Sequence, residues 1–221
     1  LNDAQLAAVT HEGGPALVVA GAGSGKTRVL TRRIAWLIGA RGAHPGSILA
    51  ITFTNKAAAE MRERVAELVG ARSKMMWVAT FHSACVRILR READHLPIQS
   101  NFVIFDSDDQ ERIVKNVIRE LNINEKLYRP ASVHAAISRA KNELIDAEHY
   151  PIVTYKDEVV KRVYADYQKR LVASNAVDFD DILVYTAQLM ENNSAVRDKY
   201  AQRFRHVLVD EFQDTNLAQY A

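Results

Sequence analysis

Only one cysteine, Cys85, occurs in 221 residues, so neither an internal disulfide nor a cysteine-built zinc site is available, and a reducing compartment is expected. Long apolar runs are missing as well. The longest, such as 16–20 and 48–53, fall far short of the roughly 20 residues that cross a bilayer, and no basic-then-apolar leader opens the chain. A cytoplasmic protein with no membrane partner is therefore expected. Net charge is small, +2, and bulk electrostatics advertise no nucleic-acid partner. The balance is uneven, however: residues 1–80 hold twice as many basic as acidic side chains, 81–204 are nearly neutral, and 205–221 are acidic. Such an excess alone reads as a solvated surface. Internal repeats and low-complexity stretches are also absent.

What is present is an ordinary globular balance, 48% hydrophobic and 25% charged, long enough for one large or two small domains. Apolar runs at 16–20, 48–53 and 77–81, and a fourth at 206–210, each lead into a polar or glycine turn. Continuous rather than alternating apolarity marks strands buried on both faces of a parallel sheet. Helical patterns follow at 27–38 and 56–69, which predicts an α/β fold with right-handed crossovers. Between the third and fourth strands the pattern is nearly all helical. Ser107 to Gln110 reads as a capping box before a face of Ile113, Val117, Ile118 and Leu121. A second helix is expected over 131–145. Thr154 caps a third with the stripe Val159, Val160, Val163, Tyr164, Tyr167 and Leu171, and Asp178 caps a fourth containing Ile182, Leu183 and Leu189. The chain opens on Leu1 and stops shortly after the fourth strand, so a piece of a longer protein is expected.

Ala20-Gly21-Ala22-Gly23-Ser24-Gly25-Lys26-Thr27 joins a predicted strand to a predicted helix. Glycines there let backbone N–H groups crowd around phosphate oxygens, and the helix N-terminus adds positive potential. Lys26 would reach the β and γ phosphates and the Thr27 hydroxyl would ligate Mg²⁺. Ala20 stands where the first glycine of such a loop is usual. Val207-Leu208-Val209-Asp210-Glu211 delivers two carboxylates at a strand's carboxyl end, where open α/β sheets bind ligands. Asp210 would hold Mg²⁺ and Glu211 would orient or deprotonate an attacking water.

Together with Leu1-Asn2-x-x-Gln5, these motifs and Ile51-Thr52-Phe53-Thr54-Asn55-Lys56, Thr80-Phe81-His82-Ser83, Val177-Asp178-Phe179-Asp180-Asp181 and Asp210-Glu211-Phe212-Gln213-Asp214-Thr215-Asn216 resemble, in order and spacing, the UvrD/Rep/PcrA branch of superfamily 1 helicases. The resemblance covers the whole chain. It implies a P-loop, RecA-like domain 1A over 1–80 and 205–221, incomplete here, interrupted by an all-helical subdomain 1B over 81–204. It places Gln5 on the adenine edge, where an amide can donate and accept. The ATP cradle would be Ala22, Gly23, Ser24, Gly25, Lys26 and Thr27, with Arg28 close by, and Gln213 would couple the γ phosphate to neighbouring motifs. Phe53, Thr54, Asn55 and Lys56, with Thr80, Phe81 and His82, would meet single-stranded DNA by stacking and phosphate contact.

Rival structural readings exist for several of these residues. Phe53 could simply end a core strand, His82 could cap a helix, and Asp214 or Thr215 could cap another. Asp178, Asp180 and Asp181 read as a helix-opening acidic turn rather than a metal cluster, and Cys85 as core packing. Arg139, Lys141 and Asn142 read as a solvated face, with duplex backbone contact as the alternative.

The resemblance implies ATP hydrolysis driving 3′ to 5′ movement on single-stranded DNA and unwinding of duplex, in DNA repair or replication. Repair or transcription proteins are possible partners. These residues alone would hydrolyse little and unwind nothing, since the family's arginine fingers lie beyond them and such a group is worth about 10³ or more in rate. A P-loop enzyme acting on a small molecule, and a binding module whose helical insertion docks a partner, are the other classes open at this point.

Overall fold

The computed structural model describes residues 1–21 and 23–221. It divides into two compact units, one of Leu1–Ala84 with Asp198–Asp214, the other of Cys85–Arg197 with Thr215–Ala221.

The first unit is built on a parallel sheet of three strands, β1 (Ile48–Thr52), β2 (Trp77–Thr80) and β5 (His206–Val209), with β1 in the middle. Ile51 lies beside Ala79 on one side and Val209 on the other. Because side chains alternate across a strand, Ile48, Ala50 and Val78 share a face. Ile34, Leu37 and Ile38 of α2 (Lys26–Gly39) and Met61 and Val65 of α3 (Asn55–Val69) are buried against them. Their three- and four-residue spacing makes that face continuous along each helix. Each strand turns directly into a helix or loop at its carboxyl end, so the chemistry-bearing motifs collect along one edge of the sheet.

Residues 16–20 do not form the predicted first strand. Leu17, Val18 and Val19 are exposed at 73%, 45% and 86%. Apolar composition records a preference for burial, but a strand exists only where a neighbour supplies the ladder.

The second unit packs α5 (Ser107–Glu120), α6 (Pro130–Asn142) and α7 (Tyr155–Ala173) around one core, and α8 (Phe179–Asn192) lies against α6. Val117, Ile118, Ile137 and the entire predicted stripe of α7 are buried in that core or at its edge. Thr154 and Asp178 each close a capping box, with Asp157 and Asp181 respectively. The α5 cap is Asp106, one residue before the predicted Ser107, and it accepts from the Asp109 amide at 2.9 Å. Gln110 is instead buried, donating to the Phe105 carbonyl at 2.8 Å. The unit is not all-helical: β3 (Val103–Ile104) and β4 (Ala176–Val177) form a short parallel ladder. Two residues per strand are too few for any periodicity to register.

The division also differs from 1–80, 81–204 and 205–221. The end of α9 (Ser194–Arg203) and Phe204 belong with the sheet, where the Phe204 ring lies 4.9 Å from that of Trp77. Residues Thr215–Ala221, including α10 (Leu217–Tyr220), belong with the helices, and Ala218 is buried there. Among the described residues, no helix is long and apolar enough to cross a membrane.

Candidate functional site

The phosphate-type loop enters α2 through left-handed backbone. Gly23 and Gly25 have φ of 74° and 85°, values that a side chain resists, and Gly25 is the N-cap residue. The Ser24 hydroxyl donates to the Gly21 carbonyl at 2.6 Å and closes the loop on itself. Gln5 is tied to it as well. Its Nε2 donates to the Ser24 carbonyl at 2.9 Å, while its Oε1 accepts from the Asn2 amide at 3.0 Å. A side chain at Gly25 would crowd that amide, with Cβ at 3.2 Å from Gln5 Nε2. Ala22 lies outside the described residues, and Arg28 is exposed on the first turn of α2.

From the other side come the residues that follow β5. The Asp210 amide donates to the Ile51 carbonyl at 2.9 Å, which extends the ladder by one residue and fixes the carboxylate at the sheet edge. Its Oδ2 accepts from the Thr27 hydroxyl at 3.4 Å. Lys26 Nζ stands 4.0 Å from Glu211 Oε1, and it donates to the Ala20 carbonyl at 3.1 Å. The loop's cation and hydroxyl therefore face the two carboxylates across a short gap. Burial, and then the neighbouring charge of Glu211, raise the Asp210 carboxyl above its ordinary range. A half-buried carboxylate held against its preference is one that a cation would relieve.

Glu211 has φ of 53°. Non-glycine residues rarely adopt this left-handed conformation, and the strain is tolerated where surroundings over-determine it. Here the Asp214 amide donates to the Glu211 carbonyl at 3.0 Å, and the Gln213 amide side chain donates to Glu211 Oε2. Gln213 thus steadies the carboxylate directly. Neither Asp214 nor Thr215 supplies the next cap. Asn216 does, in a capping box with Gln219, a signal that the spacing Asn-x-x-Gln offered in the sequence.

Two further motifs sit at the carboxyl ends of β1 and β2, where Thr52 and Thr80 are register partners. Phe53 and Phe81 meet edge to face with ring centroids 5.5 Å apart, both half-buried. Thr54 caps α3, accepting from the Ala57 amide at 3.1 Å, and leaves Asn55 and Lys56 exposed on its first turn. Thr80 is buried, and its hydroxyl donates to Ser83 Oγ at 2.9 Å as α4 (Phe81–Arg91) begins. His82 is half-buried.

In the helical unit, Lys141 is neither a solvated cation nor a backbone contact. It is 1% exposed, donating to Asp178 Oδ2 at 2.6 Å and Asp181 Oδ1 at 2.7 Å. Burial alone would depress the ammonium, but the charges of Asp181 and Asp178 outweigh it and hold the group above its ordinary value. Asp178 also accepts from the Tyr167 hydroxyl at 2.8 Å and is held low by Lys141 against its own burial. Burial, and the unrelieved charge of Asp178, push Asp181 up to about 6. Spacing on α6 could not reveal this, because the partners come from another helix. The acidic turn opens α8 as predicted, and no group of three or more metal-type ligands occurs among the described residues. Burial raises the Cys85 thiol to about 11, which suits packing rather than nucleophilic chemistry.

Comparison with known proteins gives this arrangement its context. The chain is 54% identical to the ATP-dependent DNA helicase UvrD1 of Mycobacterium tuberculosis over 226 aligned residues, covering 100% of this chain and 29% of that protein. It is 49% identical to the ATP-dependent DNA helicase PcrA of Bacillus subtilis and 48% identical to PcrA of Staphylococcus aureus, in each case covering 100% of this chain and 30% of the relative. It therefore spans about 30% of the length of the curated relatives it matches. The model of the UvrD/REP helicase N-terminal domain matches residues 1–221, and this chain belongs to that family.

Proposed function

We propose that this chain is the ATP-binding part of an ATP-dependent DNA helicase that moves 3′ to 5′ on single-stranded DNA and unwinds duplex in DNA repair or replication, in the cytoplasm. One observation carries the reading: Thr27 and Asp210, and beside them Lys26 and Glu211, face each other at 3.4 Å and 4.0 Å. Two hard oxygen donors side by side suit Mg²⁺, which takes a few protein oxygens and completes its shell with phosphate and water. The ion would neutralise charge between the β and γ phosphates when bound.

The chain's own residues would do the rest. The loop amides from Gly23 to Lys26 would bind phosphate oxygens, and Lys26 would turn from the Ala20 carbonyl to the γ phosphate. Glu211, steadied by Gln213, would orient the attacking water and take its proton. Gln5 would read the adenine edge, with Arg28 close to the nucleotide. Phe53, Thr54, Asn55, Lys56, Phe81 and His82 would line the path of the single strand, the two rings offering faces to bases. Thr80, with its hydroxyl committed to Ser83, would support that path rather than touch it. In family terms the sheet unit corresponds to domain 1A and the helical unit to 1B.

Full-length protein should hydrolyse ATP faster with single-stranded DNA present, and Lys26→Ala should remove both rates. The 221 residues alone should bind nucleotide and turn it over hardly at all. Unchanged nucleotide affinity in both Lys26→Ala and Asp210→Asn would sink the assignment, and absence of anisotropy change with labelled single-stranded DNA would remove the helicase part of it.

A further inference from the structure

The helix that carries Gln5, α1 (Asp3–Thr10), is held by very little apolar surface. Val9 is its one buried residue, and a helix this short does not stand in water without support. Polar ties at its two ends supply that support. At the amino end the Gln5 side chain is fixed from both sides, its Oε1 by the Asn2 backbone amide and its Nε2 by the Ser24 carbonyl. Those partners decide which atom is oxygen and which is nitrogen. Among the described residues they leave one N–H and one lone pair of the amide open. An open donor beside an open acceptor complements the N7 and N6 amino edge of adenine and mismatches guanine, whose N7 and O6 both accept.

At the carboxyl end, the last carbonyls of a helix have no partner within it, and α1 has no basic residue in its last turn. Arg33 fills that place from another helix. A single nitrogen, Nη1, donates to the Val9 carbonyl at 2.8 Å and to the His11 carbonyl at 2.9 Å, which sets positive charge at the negative pole of α1. The guanidinium lies over the ring of Trp36, 5.6 Å from its centroid, a contact that orients its plane as well as attracting its charge. Arg33 stands two turns along α2 from Lys26. One helix therefore carries the phosphate-type loop at its start and the anchor of α1 further on. α1 is tied to that helix and its loop at both ends, by Gln5 to Ser24 and by Val9 and His11 to Arg33.

We propose that Arg33 is a positioning residue for nucleobase recognition: by anchoring the carboxyl end of α1 to α2, it sets the direction in which Gln5 presents its open donor and acceptor to the adenine of ATP. The proposal rests on the nucleotide reading above. Arg33 itself is assigned no contact with nucleotide or DNA.

The test uses full-length protein, with DNA-stimulated turnover of ATP and of GTP, and with magnesium tripolyphosphate, which has phosphates and no base, as competitor. Arg33→Met keeps an apolar stem against Trp36 and removes the donors. KM for ATP should rise about fivefold, within the range reached by residues that touch no ligand, while kcat stays within about twofold. KM for GTP and inhibition by tripolyphosphate should keep their wild-type values, so the preference for ATP over GTP falls with the KM. Arg33→Lys, whose ammonium is about one bond short but can donate to both carbonyls, should restore part of that preference. Adding Arg33→Met to Gln5→Ala should lower the preference no further than Gln5→Ala alone. Arg41→Gln is the control, since Arg41 also lies over Trp36 but pairs with Glu12, and it should leave the preference unchanged. Folded Arg33→Met protein with wild-type preference, equal losses for ATP and tripolyphosphate, or a double variant whose losses multiply overturns the anchor and leaves the nucleotide reading in place. If Arg33→Met does not fold, Trp36→Leu, which removes the ring under the guanidinium, reads the same ratio: a fall of about twofold supports the anchor, and an unchanged ratio overturns it. Gln5→Ala with wild-type preference removes the adenine role of Gln5 and this proposal with it, whereas the phosphate loop is tested separately by Lys26→Ala.

Discussion

Two lysine–carboxylate arrangements in this chain are built for opposite purposes. Lys26 and Glu211 stand at 4.0 Å with side chains 27% and 43% exposed, whereas Lys141 bonds Asp178 and Asp181 at 2.6 and 2.7 Å, all within 2% of complete burial. The first is partly solvated, and neither partner is fully engaged by the other. The second has no room for anything, and removal of one member leaves buried charge with no partner. Proximity of opposite charges therefore says little about role. Exposure and the completeness of the hydrogen-bonding shell separate a site from a staple.

Truncation of each lysine should separate the two roles. Lys26→Ala should lower ATP turnover of the full-length protein by about 10²–10³-fold, as loss of a preorganised charge stabiliser does, and should move urea unfolding by no more than about 0.5 kcal/mol. Lys141→Ala should do the reverse in this chain, costing about 3–5 kcal/mol by urea unfolding. If Lys141→Ala unfolded at the wild-type midpoint, the clamp would be ornamental.

The pH dependence sharpens the contrast within the clamp. Asp181, raised to about 6 in the folded state, contributes stability in its neutral form that is complete below the unfolded carboxylate range and lost as pH rises through about 6. Asp178 is depressed, so its contribution is present above that range and lost as pH falls through its lower folded value. Asp181→Asn should therefore gain on wild type as pH is raised from about 4 to 7, and Asp178→Asn should be the more damaging change at pH 7. Chemical denaturation across that window reads both.

The smallest effect belongs to the exposed pair Arg41 and Glu12, at 2.8 Å but with both side chains more than half exposed. Arg41→Gln should change stability by less than about 1 kcal/mol, measured by the same unfolding experiment. A larger loss would mean that distance, not burial, sets the value of ion pairs in this chain.

Legibility of the fold followed the length of each pattern. Nineteen residues of α7 carry several turns of period, and its stripe Val159 to Leu171 is buried throughout. The two-residue ladder of β3 and β4 carries none and passed unseen. Adjacent capping residues, Asp106 and Ser107, are equally able to start α5, and only the backbone, extended at Asp106, chooses between them. For 16–20 the local pattern pointed to a strand, and pairing failed to follow. At the site, the loop and the acidic pair were readable because each is contiguous. The use of Thr80 on Ser83 and of Arg33 on the Val9 and His11 carbonyls was not, since each depends on where another element lies.

From its residue order alone the chain determines where phosphate-type glycines, a lysine and paired carboxylates fall, and which helix faces are apolar, because those properties are local in sequence and repeat with the geometry of one element. That Thr27 meets Asp210 across 183 positions of chain, and that Lys141 is sealed between two aspartates rather than solvated, was decided only by tertiary structure. Burial and hydrogen-bond completion are properties of the assembled interior, and the same lysine has opposite chemistry inside and outside it.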